Sequence, residues 1–182
     1  MILVTGLFLL FTGKVFADEN LAGTSASLAY VNQSLQESNQ SIDDYKKRMA
    51  IMAIFKKYNS PMVGEADSFL AACKKYQIDC YLLPSIAGLE STFGQFIYPD
   101  SYNPFGWGGG YIKFNDWSSA IDTVASGIKE NYIDKGAKTV WEIGPIYSTS
   151  PTWASRVNWF ESQFKSEEDK IPLFSSVNPV QL

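Results

Sequence analysis

The chain has 182 residues, a length that suggests one domain, and carries 15 basic against 19 acidic side chains for a net charge of −4. That balance argues against a nucleic-acid backbone as partner, because such binding is driven by Lys and Arg neutralising phosphates, and it excludes a polybasic membrane patch. Histidine is absent, which removes Ser-His-Asp and Cys-His catalysis and imidazole metal sites; chemistry falls to carboxylates, hydroxyls, amides and tyrosines, with no metal or cofactor expected.

Residues 1–17, MILVTGLFLLFTGKVFA, read as a signal peptide. Ile2 to Gly13 form an uncharged apolar run, and Val15 and Ala17 give a small-residue cleavage signal before Asp18. No basic residue precedes the run, and it is short of the roughly 20 apolar residues that span a bilayer. A short buried helix or an uncleaved anchor is the alternative. Export would place the protein outside the cell, in the periplasm or in the cell envelope. Removal of the segment takes away Lys14 and no acid, leaving a more acidic chain still long enough for a hydrophobic core.

Residues 18–40 are rich in Ser, Asn, Gln and Ala. Within and beyond them Leu21, Leu28, Leu35, Ile42 and Met49 recur every seven residues, with Val31, Tyr45 and Met52 on the intermediate seam and Thr24 and Ser38 interrupting it. This heptad pattern fits a coiled coil that gives weak self-association, or one long helix docked on its own domain with a frayed start.

The main domain is expected over residues 41–170. Ser41 is a good N-cap for the helix running to about Asn59, and Pro61 and Gly64 break it. EADSFLAACKKY makes a second helix. Asp79 can cap a third, CYLLPSIAGLESTF, whose stripe is Leu82, Ile86, Leu89 and Phe93, with Pro84 in its tolerant first turns. Residues 94–115 are rich in Gly, Pro and aromatics and predict a loop with a short β-hairpin. Asn115 or Asp116 caps the next helix, DWSSAIDTVASGIKENYI, which Gly136 ends. A short helix follows around TVWEIGPIY. The last, WASRVNWFESQFKS, turns Trp153, Val157, Phe160 and Phe164 inward, and residues 171–182 form a loose tail. The inventory is a mostly α-helical α+β domain.

Cys73 and Cys80 have two readings. In an exported protein they form a disulfide, stabilising by about 2–3 kcal/mol on the chain-entropy estimate; otherwise they are two buried thiols. GWGGG, residues 106–110, lacks the Lys-Ser/Thr and the flanking strand and helix of a phosphate loop and reads as a tight turn.

IAGLESTFG, residues 86–94, sets one carboxylate, Glu90, among apolar and small residues. Cleavage of a glycosidic bond needs a carboxylic acid that gives its proton to the leaving oxygen, and a poorly hydrated pocket favours the protonated form. Ile86, Ala87 and Phe93, the helical neighbours of Glu90, supply no charge, and Ser91 is the local donor. By itself a Glu in the last turn of a helix is more often an ordinary solvated side chain.

IAGLESTFG, then NPFGWGGG, then IYSTSPTWASRV, in that order over residues 79–164, resemble the glucosaminidase family of the lysozyme superfamily, the bacterial cell-wall β-N-acetylglucosaminidases and their mannosyl-glycoprotein endo-β-N-acetylglucosaminidase-like domain. The resemblance implies a lysozyme-like fold with a small hairpin or loop lobe. It also implies a secreted hydrolase that acts on peptidoglycan glycan strands. On the matching positions, Glu90 is the general acid, followed by Ser91. Tyr147 faces the cleft to orient water or steady an oxocarbenium ion, and Trp153 is either a second cleft aromatic or core. Asn103, Phe105, Gly106 and Trp107 line a sugar groove, the Asn amide bonding the substrate, while Phe105 also suits a residue pinning the loop and Trp107 could be core. Ser150 stands where the family has an acid. For a second carboxylate the loop offers Asp100 and, at its edge, Asp116, the latter better suited to an N-cap; a substrate-assisted route needs neither. Glu142 reads as an exposed helix residue. A lytic transglycosylase using a single acid, and a wall-binding module without turnover, are the rival readings.

Overall fold

The structure, a computed structural model, describes residues 19–172, with side chains from residue 27 onward. The expected signal peptide and the tail after Pro172 lie outside these residues. Six α-helices, two 3-10 turns and one π turn make up the described regular structure. The chain divides into two units, residues 1–39 and 40–182.

The first helix, α1, spans Glu19–Lys57. Ser41 therefore lies inside a helix and caps nothing. The polar stretch before it is helical because Ala, Leu, Gln and Glu are good formers and because side chains bridge successive turns, Gln33 to Glu37 at 2.9 Å and Gln40 to Asp44 at 3.1 Å. In the first unit Leu28, Val31 and Leu35 are exposed.

In the second unit α1 buries Ala50, Ile51, Ile54 and Phe55. Ion pairs Lys74–Asp44 and Arg48–Asp67 join it to α2, Ala66–Tyr76, which follows a 3-10 turn at Val63–Glu65. Gln77, left-handed at φ 53°, ends α2. The Cys73–Cys80 disulfide then ties the end of α2 to the approach of α3, with Cα atoms 4.9 Å apart. Asp79 accepts the Tyr81 N–H at 2.8 Å, just ahead of α3, Leu82–Ser91. Every residue from Leu82 to Gly88 is buried, so α3 is the central helix and not one with a single inward stripe.

Helix α4, Trp117–Ile128, opens with a reciprocal cap between Asp116 and Ser119 and runs on into a π turn at Lys129–Ile133. Thr139 and Glu142 make the same kind of cap on α5, Val140–Tyr147. Last comes α6, Trp153–Asp169. Helix α2 packs on α4, and α6 packs on both α3 and α5. The core is a cluster of rings in which Phe55 meets Phe69, Phe93 and Phe164.

The expected hairpin does not form: the described residues contain no strand and are all-α, not α+β. Between Thr92 and Asp116 one backbone–backbone bond crosses the loop, from the Phe114 N–H to the Ser101 carbonyl at 2.8 Å. A ladder needs runs of extended residues, whereas Gly106, Gly108, Gly109 and Gly110 all sit at positive φ around a 3-10 turn at Trp107–Gly110.

Glu161 on α6 is buried, which the spacing from Val157 and to Phe164 foreshadows although it is an acid. Burial, with a smaller push from Asp79 and opposed by Lys165, raises its carboxyl to about 7. The folded chain thus holds a proton there that the unfolded chain releases near the ordinary value. This contribution is fully present below the ordinary Glu value and is lost as pH rises through about 7. Glu161→Gln, which mimics the protonated form, is expected to stabilise the protein at pH 8 by up to about 3 kcal/mol and to change little at pH 4. Thermal unfolding of both proteins at the two pH values checks this; equal shifts at both would contradict it.

Candidate functional site

The last turn of α3 places Glu90. Thr92, Phe93 and Gly94 take positive φ in succession, 50°, 56° and 83°, so the chain reverses right after the helix and returns Phe93 to the core. Glu90, three residues earlier, is left exposed on the lip of the fold. It is not shut in an apolar pocket. Its one described donor comes from far along the chain: the Trp153 indole N–H bonds Glu90 Oε1 at 2.7 Å.

Trp153 is only 3% exposed and so belongs to the core by burial while serving the carboxylate by its N–H. Tyr147, at the end of α5, stacks on it with centroids 4.8 Å apart and planes 28° apart. The two helices come this close because Gly144 has no side chain; a Cβ there would lie 3.3 Å from the Trp153 ring and 3.0 Å from Ala154. The Tyr147 hydroxyl donates to the Phe105 carbonyl at 2.7 Å. Its phenol is pushed well above the ordinary value, first by burial and then by the charge of Glu90. The tyrosine is thus a protonated donor that holds the loop, and in this geometry its hydroxyl is already committed.

Ser91 and Asn103 line a hollow beside Glu90 as expected, yet their polar groups, and the Phe105 ring, also build the loop. Asn103 is buried and spends its amide on its own backbone, donating to the Trp107 and Ile112 carbonyls at 2.9 and 3.1 Å and accepting from the Trp107 N–H at 3.0 Å. Neither of its N–H groups remains for a ligand. Phe105 is fully buried against Phe69, pinning the loop to the body. Ser91 is buried too; its hydroxyl reaches the Pro104 carbonyl at 2.8 Å and accepts from the Gly94 N–H at 2.8 Å, so it braces the helix end and gives nothing to Glu90. For Asn103 and Ser91 the cause is the same. A 25-residue irregular loop must satisfy its own backbone polar groups, and these two polar side chains do so, while Phe105 anchors it as its apolar ring allows.

Gly106 lies directly over the carboxylate: a Cβ there would stand 3.3 Å from Glu90 Oε2. Glu90 lines a hollow of about 290 Å³ with Ser91, Phe96, Tyr98, Asn103, Tyr111 and the loop glycines. Trp107, Tyr132 and Tyr147 line a second of about 360 Å³. Gly106 and Gly109 border both hollows, which together make up the groove surface around this loop, each near the lower end of the size that takes a small ligand. Trp107 is partly buried because its indole lies flat on α4 at Gly127, where a Cβ would come within 2.5 Å of the ring. It is both packed and groove-lining.

Asp100 is exposed at φ 59° on the outer turn of the loop and does not line either half of the groove, so Glu90 is the one carboxylate among the lining residues. Asp116 is the N-cap of α4 and its carboxyl is held below the ordinary value by the Ser119 N–H. Glu142 is exposed and closes the α5 cap. Among the described residues, no three or more Cys, Asp or Glu side chains are placed to hold a metal ion. None of the described helices is long and apolar enough to cross a membrane.

Sequence reasoning missed the exposed rim of Phe96, Tyr98 and Tyr111 and the wall residue Tyr132, although the aromatic excess after residue 93 was the signal. It also missed the indole donor to Glu90, which no local pattern could supply from 63 residues away. Compared with known proteins, the chain matches no family model and no curated protein sequence.

Proposed function

We propose that this protein is a secreted or cell-envelope hydrolase that cleaves β-1,4 glycosidic bonds of peptidoglycan glycan strands, in the manner of an N-acetylglucosaminidase, with Glu90 as general acid. One observation carries the reading: a single carboxylate, oriented by a buried indole N–H, in the lining of an aromatic-rimmed hollow that shares Gly106 and Gly109 with a second hollow walled by Trp107, Tyr132 and Tyr147. Ring faces suit the apolar faces of sugars. A central helix ending at Glu90, an irregular lobe after it and further helices behind are also what the proposed lysozyme-like fold requires. The disulfide is in keeping with an oxidising compartment, and so with export.

The test is digestion of purified peptidoglycan by the wild type and by Glu90→Gln, with mass analysis of the fragments. Hydrolysis adds one water per cut. Fragments lighter by one water would instead show 1,6-anhydro ends and a lytic transglycosylase. That second reading is favoured by the absence of another carboxylate from the groove lining, since the substrate's own hydroxyl then replaces water. A protein that binds peptidoglycan with no fragments released is a wall-binding module.

We also propose weak self-association through the exposed Leu28, Val31 and Leu35 seam of α1. Leu28→Glu together with Leu35→Glu is expected to abolish any concentration dependence of sedimentation. A wild type that sediments as a monomer at all concentrations would refute it.

A further inference from the structure

We infer that Trp153 is a positioning residue that decides which oxygen of Glu90 carries the acidic proton, assigning it to Oε2, with Gly106 keeping the space before that oxygen open. The inference rests on the reading of Glu90 as general acid and deepens it.

An indole N–H can donate and cannot accept. At 2.7 Å from Oε1 it therefore requires that oxygen to be an acceptor in both protonation states of the carboxyl. The indole has no freedom to turn away, being 3% exposed, stacked on Tyr147 and backed by Gly144. The proton then belongs on Oε2. That oxygen points toward Gly106, whose φ of 64° suits glycine and whose missing side chain leaves the groove open there; an added Cβ would crowd Oε2 at 3.3 Å. In the reaction the proton passes from Oε2 to the glycosidic oxygen as the bond from C1 to that oxygen breaks. The bonding electron pair leaves with the oxygen, and C1 is taken by water or by the substrate's own hydroxyl, which gives up its proton to the carboxylate. Glu90 keeps its indole bond through Oε1 throughout. Fixing the rotamer in advance is the form of preorganisation that acts on the chemical step and not on binding.

The experiment has two arms. In the first, Trp153→Phe keeps the ring and removes the N–H, and Gly106→Ala crowds Oε2 from the loop side without touching the core. Each is expected to lower kcat on peptidoglycan about 10-fold or more and to leave KM within about twofold. In the second, ¹⁵N spectra of the wild type and of Glu90→Gln are followed from pH 3 to 8. The chain has five tryptophans, and the Trp153 indole signal is assigned by its loss in Trp153→Phe. It is expected to move with pH in the wild type and to stay still in Glu90→Gln. A wild type without turnover overturns the reading of Glu90 as the acid. A wild type that turns over, with Trp153→Phe within twofold of it in kcat or an indole signal insensitive to Glu90, overturns the positioning inference alone.

Discussion

Glu90→Gln is expected to lower turnover of peptidoglycan by about 10²–10⁴-fold, the usual worth of a positioned general acid, with fold and glycan binding retained. The carboxamide is nearly isosteric, and its oxygen still accepts the Trp153 N–H, so the contact that orients the side chain survives while the transferable proton does not. Because Glu90 is exposed and caps no helix, losing its charge should move the thermal midpoint by no more than a few degrees. Zymography, pull-down on insoluble peptidoglycan and a melting curve measure the three properties separately. Clearing equal to that of the wild type would remove Glu90 from the chemistry altogether.

Phe93→Ala is expected to cost about 3–5 kcal/mol, a large share of the stability of a domain this size. The ring is fully buried and meets Phe55, Tyr58, Phe160 and Phe164 with centroids 4.9–6.1 Å apart. Gly88 on α3 is shaped around it, since a Cβ there would stand 2.7 Å from the ring. Alanine keeps the unfavourable positive φ of 56° while losing the contacts that hold the residue in it, so no relief of strain offsets the cavity. The thermal midpoint should fall by roughly 10 °C. A drop of under about 3 °C would show that the reversal after α3 is held by other means. The position joins stability to the site, because the same ring that closes the core sets the turn leaving Glu90 on the lip.

Local chemistry made much of this legible in the chain. Asn115 or Asp116 was the expected cap of the helix after the loop, and Asp116 is the one that caps it, whereas the reciprocal cap of Thr139 with Glu142, read only as an exposed helix residue, emerged with the structure. Phe105 was readable as a loop anchor and is one. Asn103 was not readable as a loop brace, because an amide in a Gly-rich stretch looks the same whether its partners are a sugar or three backbone groups several residues away. Ser41 misled because a good cap residue caps only where the preceding backbone is not already helical.

The sequence by itself determined that the chain is mostly helical, that it lacks histidine chemistry, that two cysteines stand close enough to pair, and that one carboxylate ends a buried helix beside an aromatic, glycine-rich loop. These follow from residue types and spacings of a few positions, where propensity and covalent reach decide. Only the tertiary structure decided that Glu90 is open to solvent, that its partner is the Trp153 indole, and that Asp100 stands outside the groove lining while Gly106 lies against Oε2. Those depend on how α3, α5, α6 and the loop pack together, and a contact across 63 residues is set by the shapes of the buried rings between, not by any local pattern.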